Sequence, residues 1–361
     1  MMKKVISTLL VGAMALSLVA CGASGDSAAP AEDAAPAQEE EAAAPAEDAA
    51  PAEDAEAAAP ADAAAGGDRN GDGKIIVGYI SKNLTDPFHG PINAHGQEVF
   101  DGLVADGTID DWTGILDGNT DPAKQCDLAQ DCINYNCDYV IILPAESAGS
   151  DPAVTAMVDA GIAVVVVNSK TDSTDDIALT YCGSDDVYAG ELMGEFVQEK
   201  VPDGGVFVHC QGVIGNSAQI ARGQGIANTI ETNSAWTKAA DVPCDWDPSK
   251  AINAFSDYLA QYGDDLKAVI CDNDDMSSAV QAEANAKGRE DIVCIGVDGN
   301  QGPLQMVKEG TLQATVLQDG VGQLQAGIDA ITKSINGETV DKEYSVPFVV
   351  VTSENVDQYL Q

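Results

Sequence analysis

Hydrophobic runs alternate with helix-like stretches from residue 74 to the end of the chain. The apolar runs that are bounded by turn residues are expected to be strands: 75–80, 139–143, 163–167, 205–208, 268–271 and 292–296. Their apolar residues are consecutive rather than alternating, which is typical of parallel strands covered on both faces. The stretches between them that are expected to be helices are 91–105, 122–136, 151–160, 187–200, 217–231, 249–262 and 276–287. This order of strand and helix predicts an α/β fold with doubly wound parallel sheets.

Polar residues follow several of the predicted strands, at the end where doubly wound sheets bind their ligands. Amides and carboxylates stand at these strand ends, and the aromatic residues Phe88 and Trp246 stand in loops. Such side chains suit a ligand rich in hydroxyl groups, because polar groups pair with the hydroxyls and aromatic rings cover the C–H faces. Asp and Asn also begin helices. We favour helix capping for Asp272, Asp274 and Asp275, and ligand contact for three others: Asn273, Asp298 and Gln318.

Residues 1–20 have the pattern of a secretory signal. Lys3 and Lys4 precede an apolar run over residues 5–19, which is too short to span a bilayer comfortably. The segment Leu18-Val19-Ala20-Cys21 resembles a bacterial lipobox, which implies cleavage before Cys21 and attachment of lipid to that residue. The alternative is an ordinary signal peptide with an incidental cysteine. The pattern predicts an extracytoplasmic protein that is lipid-anchored to the outer face of the cell membrane.

Residues 22–73 are dominated by Ala, Pro, Asp and Glu, and predict a disordered linker after the lipidated cysteine. Recurrent prolines at positions 30, 36, 45, 51 and 60 argue against the alternative of a helical stalk. The whole chain has a net charge of −42. Because so acidic a surface repels phosphate backbones, no nucleic acid is expected as a partner.

The chain has nine cysteines, and all except Cys21 lie in the predicted folded part. Their even number outside the membrane permits disulfides. However, Cys210, Cys271 and Cys294 lie in apolar runs, where a free thiol behaves as a small hydrophobic group. We therefore expect mostly free thiols, with disulfides as the alternative. No paired CxxC segments occur, so neither a metal nor another cofactor is expected.

Two local sequence patterns are incomplete copies of known binding motifs and are weaker evidence for function than the strand-end residues. Residues 68–75 (DRNGDGKI) copy the opening of a calcium loop, but the twelfth position is Tyr79 rather than Glu, and we favour a polar linker end. Residues 223–225 (GQG) lack the third glycine of a dinucleotide loop, because Asn228 stands there, and we expect close helix packing instead. The chain has three histidines and no serine in a GxSxG segment, so a hydrolase triad has little support and no enzyme is expected.

Seven stretches together resemble the sugar-binding branch of the type I periplasmic binding proteins, which includes ribose- and galactose/glucose-binding proteins. Their order and spacing are specific, and the resemblance covers residues 74 to about 355. The stretches are 86–88 (DPF), 185–190 (DDVYAG), 212–217 (GVIGNS), 222–225 (RGQG), 272–276 (DNDDM), 296–299 (GVDG) and 314–318 (ATVLQ). The resemblance implies two lobes that are joined by a three-segment hinge and close over the ligand.

The resemblance also implies which residues contact the ligand. Hydrogen bonds are expected from Asp86, Asn168, Asn273, Asp298 and Gln318, aromatic cover from Phe88 and Trp246, and further contacts from His89, Asn216 and Arg222. The sequence departs from the family pattern at three positions. Ser169 and Ile220 replace arginines of the ribose type, and Ala218 replaces an aspartate of the galactose/glucose type. These departures leave the class of ligand unchanged and its identity open.

The implied domains are a signal peptide at 1–20, lipidated Cys21 with its linker at 21–73, lobe one at 74–184 plus 319–346, and lobe two at 185–318 plus 347–361. The implied function is that of a monomeric solute-binding lipoprotein, which captures a neutral monosaccharide and delivers it to an ABC transporter permease. The alternative is a receptor that presents a sugar or sugar-like signal molecule to a membrane sensor. Both functions use the same fold, so both stay open at this point.

Overall fold

The computed structural model describes residues 67–361, which form two lobes built on parallel sheets. The expected signal peptide, Cys21 and the linker up to residue 66 lie outside the described residues. Within residues 67–361, no helix has both the length and the apolar character needed to cross a membrane. The prediction of an α/β fold with parallel sheets is confirmed.

The sheet of the first lobe is entirely parallel. Its strands are β1 (Ile76–Ser81), β2 (Asp111–Asp117), β3 (Tyr139–Ile142), β4 (Ala163–Val167), β5 (Thr180–Gly183) and β12 (Glu343–Ser345). They lie in the order β12-β5-β4-β3-β1-β2. The helices of this lobe are α1 (His89–Asp106), α2 (Pro122–Asn134), α3 (Ser147–Asp159), α4 (Thr174–Ile177) and α10 (Gly320–Ile335). Strands β3 and β4 are buried along their full length because helices cover both faces of the sheet.

The second lobe contains a parallel sheet and a smaller mixed sheet. The strands of the first are β6 (Gly205–Gln211), β7 (Trp236–Pro243), β8 (Leu266–Cys271) and β9 (Val293–Ile295), in the order β7-β6-β8-β9. The strands of the second are β10 (Val297–Asp298), β11 (Ala314–Leu317) and β13 (Val349–Thr352), in the order β10-β11-β13. The helices are α5 (Asp186–Lys200), α6 (Ser217–Thr229), α7 (Pro248–Tyr262), α8 (Asp274–Ala286) and α9 (Gln301–Glu309). Short 3₁₀ turns occupy Ile230–Thr232, Gly263–Asp265 and Val356–Gln358.

The predicted strand at 292–296 is interrupted at Gly296. Strand β9 pairs with β8 before the glycine, whereas β10 pairs with β11 after it. A Cβ atom at Gly296 would lie 2.4 Å from the carbonyl oxygen of Asn273, so the close approach requires glycine. The interruption transfers the chain between sheets and leaves Asp298 as the last residue of β10.

Several strands of the structure were not predicted from the hydrophobic pattern. Strands β2, β7, β12 and β13 lie at sheet edges. The residues of β2, β7 and β12 form no continuous apolar run, whereas β13 lies in a short apolar run at 348–351 (FVVV) that the prediction did not include. Strand β5 is buried but only four residues long. Strand β13 also runs antiparallel to β11, which is a departure from the all-parallel prediction. Edge strands pack on one side only, so the chain does not need apolar residues at every position.

Helices α5 and α6 approach each other backbone to backbone. A Cβ atom at Gly225 would lie 2.0 Å from the carbonyl oxygen of Val187, and one at Gly190 would lie 2.1 Å from that of Arg222. The expected close packing is therefore confirmed at Gly225. Gly223 does not need to be glycine for this reason, because a Cβ atom there would have only an ordinary contact with the His209 ring.

The cysteines in residues 67–361 carry free thiols, as expected. Cys126 is partly exposed and the others are buried: Cys132, Cys137, Cys182, Cys210, Cys244, Cys271 and Cys294. Burial raises the pKa of the Cys271 thiol, which keeps it protonated and unreactive. These thiols therefore act as small core residues.

The end of the expected linker forms a loop held against the first lobe. The Asp68 carboxylate accepts hydrogen bonds from the backbone N–H groups of Gly71 (2.7 Å) and Gly73 (2.8 Å). The N–H of Arg69 donates to the buried Asp138 carboxylate at 2.7 Å. Within the described part of the chain, no group of acidic, histidine or cysteine side chains has a geometry suited to a metal ion. The loop oxygens instead bind the loop's own backbone.

Candidate functional site

A cavity lies between the lobes, where the carboxyl ends of strands from both sheets face each other. All ten side chains expected to contact a ligand line this cavity: Asp86, Phe88, His89, Asn168, Asn216, Arg222, Trp246, Asn273, Asp298 and Gln318. The remaining lining residues are Lys82, Ser169 and Ala218. Convergence of parallel strand ends brings together residues that are far apart in sequence. The direct contact of each residue with a ligand stays a prediction.

Arg222 links three segments around the cavity. It lies on α6 and is only 3% exposed. Its guanidinium donates to the Asp186 carboxylate at 2.9 Å, to the backbone carbonyl of Asp272, and to the Gln318 side-chain oxygen at 3.1 Å. A buried guanidinium needs such partners because an unpaired charge inside a protein is costly. Arg222 therefore uses these donors in bonds within the protein. Because it binds the side-chain oxygen of Gln318, the Nε2 group of Gln318 is left without a partner.

Asn273 caps helix α8. Its side-chain oxygen accepts a hydrogen bond from the N–H of Met276 at 3.1 Å. The expectation that Asp272, Asp274 or Asp275 caps this helix is therefore wrong. Asp272 instead binds His209 and the N–H of Gly212, and the Asp274 side chain accepts from Thr315 and from the backbone of the 299–300 loop. The Nδ2 group of Asn273 is not used by the cap.

The two carboxyl groups that line the cavity differ in their protonation. Burial alone would raise the pKa of Asp86, but His89, the N–H of Phe88 at 2.8 Å and the charge of Lys82 lower it to about 2. Burial raises the pKa of Asp298 well above its usual value, and the carboxylates of Asp274 and Asp86 raise it further. Asp86 therefore offers an ionised carboxylate acceptor, whereas Asp298 keeps its proton to a higher pH than an ordinary carboxyl group does.

Unpaired polar atoms concentrate at this cavity. Among residues 67–361, the buried side-chain atoms that lack a hydrogen-bond partner are His89 Nδ1 and Nε2, Trp246 Nε1, Gln318 Nε2 and Trp236 Nε1. All except Trp236 belong to residues that line the cavity. His89 Nδ1 lies 3.4 Å from an Asp86 oxygen, a contact without hydrogen-bond alignment. Buried polar groups are normally paired, so this concentration indicates a site for a polar ligand.

Trp246 forms one wall of the cavity in an uncommon backbone conformation. Its φ angle is 63°, and its six-membered ring packs on the Cα atom of Gly212. A Cβ atom at Gly212 would lie 2.1 Å from that ring, so this position requires glycine. The N–H of Gly212 is in turn held by the Asp272 carboxylate at 2.8 Å. Asp272, which follows β8, therefore holds Gly212 in place, and Gly212 supports the Trp246 ring.

A buried charge network lies behind this wall. The two ring nitrogens of His209 contact Asp241 at 2.9 Å and Asp272 at 2.8 Å. Burial lowers the pKa of His209, but the two carboxylates outweigh burial and raise that pKa to about 9. His209 is therefore charged at neutral pH and stabilises the Asp272 carboxylate. The sequence pattern did not indicate this network, because its members lie on three different strands or strand ends.

Lys82 is the site residue that the sequence interpretation missed. It follows β1, is only 7% exposed, and its ammonium nitrogen lies 5.3 Å from the centre of the Trp246 ring. Burial lowers the pKa of Lys82 to about 8, although Asp86 and Asp298 partly oppose this effect. Its position directly after a predicted strand was the available signal. Lysine is usually exposed, so burial could not be inferred from residue type.

Several hydrogen bonds join the lobes beside the cavity, and we call this set the interlobe bridge. The Asn216 amide donates to the carbonyl of Ala145 at 2.9 Å and to the hydroxyl of Ser169 at 3.3 Å. The N–H of Ser147 donates to the carbonyl of Gly215 at 2.9 Å, and the N–H of Lys170 donates to the hydroxyl of Ser217 at 2.8 Å. Asn216 also caps α6 through its side-chain oxygen. The bridge stabilises the closed arrangement.

Comparison with known proteins identifies the family. A model described as "Periplasmic binding protein domain" matches residues 77–339. The chain belongs to this family. This periplasmic binding protein is 26% identical over 287 residues to the ribose import binding protein RbsB of Salmonella typhimurium, across 79% of this chain and 93% of the relative. It is 29% identical to the xylitol-binding protein of Mycolicibacterium smegmatis, across 66% of this chain and 68% of that protein.

Solved structures agree with the fold of this periplasmic binding protein. An ABC transporter solute-binding protein from Bacillus halodurans with bound myo-inositol superposes with a TM-score of 0.73 and 27% identity, covering 80% of this chain and 97% of that one. The fructose-binding periplasmic domain of a hybrid two-component system has a TM-score of 0.70 and 21% identity, covering 79% of this chain and 92% of that domain. The second likeness concerns the fold alone.

Replacing Asn216 by Asp should weaken the interlobe bridge of this binding protein while keeping the cap of α6. Aspartate retains the capping oxygen but cannot donate to Ala145, so the closed state should lose about 1–3 kcal/mol. Ligand affinity should fall by about 5- to 150-fold. Small-angle X-ray scattering without ligand should show a larger radius of gyration. The reverse exchange at a remote cap, Asp121→Asn on α2, is the control, and equal radii and affinities in both variants would contradict the bridge.

Replacing Lys82 by Met should stabilise the ligand-free protein. The folded pKa of Lys82 is about 8 against 10.5 unfolded, so the unfolded chain binds more protons between those values. Burial of the charge therefore costs stability below pH 8, and the cost disappears as pH rises towards 10.5. Urea unfolding should show that the variant has a free energy of unfolding about 1–3 kcal/mol higher than wild type at pH 7, and that this difference is smaller at pH 9.5. Lys74→Met, at an exposed lysine, should change neither value; a gain independent of pH would count against this account.

Proposed function

We propose that this protein is an extracytoplasmic solute-binding lipoprotein that captures a neutral sugar between two closing lobes and delivers it to an ABC transporter permease. The observation that carries the proposal is the set of unpaired buried atoms of His89, Trp246 and Gln318 around one cavity. These atoms are mostly N–H donors, and Asp86 and Asp298 add acceptors. Hydroxyl groups both donate and accept, so a polyhydroxylated ligand matches such a mixed lining.

Charge balance supports a neutral ligand. The basic side chains of the cavity lining are Lys82, Arg222 and His89. Arg222 is paired with Asp186 at 2.9 Å, and burial lowers the pKa of His89, which favours its neutral form. The Lys82 ammonium faces the ionised Asp86, while the raised pKa of Asp298 favours its neutral form. Adding a charged ligand would leave one buried charge unmatched, which costs several kcal/mol. The polyols and sugars bound by the relatives named above are uncharged and agree with this argument.

The proposed mechanism is hinge closure. Lobe one would comprise residues 74–184 and 319–346, and lobe two residues 185–318 and 347–361. Closure forms the interlobe bridge and surrounds the sugar with polar groups, so an analogue that lacks one hydroxyl leaves a protein group unpaired. The same fold and the same closed state also suit a second role, in which the protein presents its ligand to a membrane sensor. Co-purification with permease and ATPase subunits distinguishes the two roles.

A sugar screen tests the binding function. Thermal-shift measurements against monosaccharides, disaccharides and polyols should identify a neutral ligand, and calorimetry should give a Kd of about 1 μM or lower. Trp246→Ala should lose most of the affinity because the cavity loses a wall. Trp246→Phe should retain the wall but lose the Nε1 donor, so binding should weaken about tenfold. Trp112→Phe, outside the cavity, is the control. Equal affinity in all four proteins would remove Trp246 from the site.

Replacing Cys21 by Ala tests the lipid anchor. In the expressed full-length chain, the wild-type protein should fractionate with membranes, and the variant should be released because it has no residue for lipid attachment. Metabolic labelling with a fatty acid should mark the wild type alone. Cys126→Ala, at a partly exposed thiol of the folded part, is the matched control and should stay membrane-bound. Membrane fractionation of the Cys21 variant, together with labelling, would exclude this anchor.

A further inference from the structure

A second space adjoins the sugar cavity. It is a groove of about 710 Å³ between the start of α1, the start of α10, the loop that follows β10 and the C-terminal residues. Phe88, Asp298 and Gln318 line both the groove and the cavity. The cavity itself has a volume of only about 30 Å³ in this closed arrangement, so the lobes must separate to admit a sugar ring. The groove lies within the range of about 300–1,000 Å³ that is typical of small-molecule sites.

The walls of the groove combine apolar and amide groups. The first lobe contributes Pro87, Pro91 and Val321, and the facing lobe contributes the amides of Asn300 and Gln301. Each of these amides donates one N–H within the protein and has a second N–H. Sugar rings need this combination, because their C–H faces pack on apolar surface while their hydroxyls pair with amides.

The ionisable side chains along the groove are acidic: Asp275, Asp298 and Asp319. Among the described residues that line the groove there is no lysine, arginine or histidine. A phosphate or carboxylate on the ligand would be repelled here. The groove therefore excludes anionic groups and accepts an uncharged one.

The second-lobe wall is already ordered. The Gln301 amide nitrogen donates to the carbonyl of Tyr359 at 3.1 Å, and its oxygen accepts from the N–H of Gln361 at 2.9 Å. These two bonds hold the C-terminal residues against the groove. The loop after β10 is held by the Asp274 carboxylate, which accepts from the N–H of Gly299 at 2.8 Å. Little conformational entropy is then lost when a ligand enters.

The junction of the two spaces carries a free donor. Gln318 is 5% exposed, and Arg222 holds its side-chain oxygen at 3.1 Å. Its Nε2 group is buried without a partner. An N–H group needs an acceptor, and a glycosidic oxygen accepts but has no hydrogen to donate. The link between two sugar rings therefore matches the chemistry at this point.

We propose that the groove is a second subsite, which accepts the second ring of a neutral disaccharide or glycoside whose first ring lies in the cavity. The inference rests on the proposed sugar-binding function and narrows its ligand class. The glycosidic oxygen faces Gln318, and the second ring packs on Pro87, Pro91 and Val321. A free monosaccharide fills only the inner part of the site.

Matched ligand pairs test this inference by calorimetry on the purified protein. The probes are glucose with maltose and cellobiose, galactose with melibiose, xylose with xylobiose, and the corresponding methyl glycosides, which have the glycosidic oxygen but no second ring. For one of these series, the disaccharide should bind at least tenfold more tightly than the monosaccharide and the methyl glycoside. Val321→Trp should remove this gain by filling the groove, while monosaccharide affinity stays unchanged. Tyr188→Trp, which adds similar bulk at an exposed position outside the groove and the cavity, is the control and should retain the gain.

A truncation after Gln358 provides a second test that does not depend on the bulk of tryptophan. Removal of residues 359–361 deletes part of the groove wall and should reduce the disaccharide gain at least threefold with no change in monosaccharide affinity. Circular dichroism checks the folding of each variant. Monosaccharide binding without a disaccharide gain would overturn the second subsite alone, as would a gain that survives both variants. Absence of binding by every probe would instead overturn the proposed sugar-binding function together with it.

Discussion

The buried guanidinium of Arg222 is the constraint on which the site depends. A buried positive charge must be matched closely, and its donors have fixed directions. Arg222 therefore determines where Asp186, the end of β8 and Gln318 lie. Asp186 begins α5 and Gln318 follows β11, so one side chain links segments beside two of the expected lobe boundaries, 184/185 and 318/319. The glycine contacts between α5 and α6 bring Arg222 close enough to do so.

The same network reaches the aromatic wall. Asp272 offers its backbone carbonyl to Arg222, one carboxylate oxygen to His209 and the other to the N–H of Gly212. Gly212 supports the Trp246 ring. His209 is positively charged at neutral pH, because the carboxylates of Asp272 and Asp241 raise the pKa of its ring to about 9. The buried pair of His209 and Asp272 thus supports the position of the Trp246 ring at the cavity. Arg222 and Trp246, the two ends of this network, therefore cannot move independently.

The site keeps polar groups unsatisfied that a purely structural core would pair. Asn216 and Asn273 have protein partners, which make the cavity rigid and hold the lobes together. His89, Trp246 and Gln318 have buried polar atoms without partners, which lower the stability of the closed protein without ligand. Ligand binding removes this cost, so part of the binding free energy comes from pairing groups that were already buried. Proteins commonly accept such local instability at functional sites.

The sequence was sufficient for the α/β class and, through its resemblance to a known family, for ten of the thirteen residues that line the cavity. Continuous apolar strands and polar strand ends are local patterns, and parallel topology brings strand ends together at one edge. The roles of those residues depended on tertiary structure. Asn168 donates to Gln323, which is 155 positions away, and Asn216 reaches Ala145 on the other lobe. The burial of Lys82, the cap at Asn273 and the orientation of Gln318 likewise depend on distant partners. Hydrogen-bond partners and solvent exposure are properties of three-dimensional neighbours, so only the packed chain could decide which polar groups hold the protein together and which remain for a ligand.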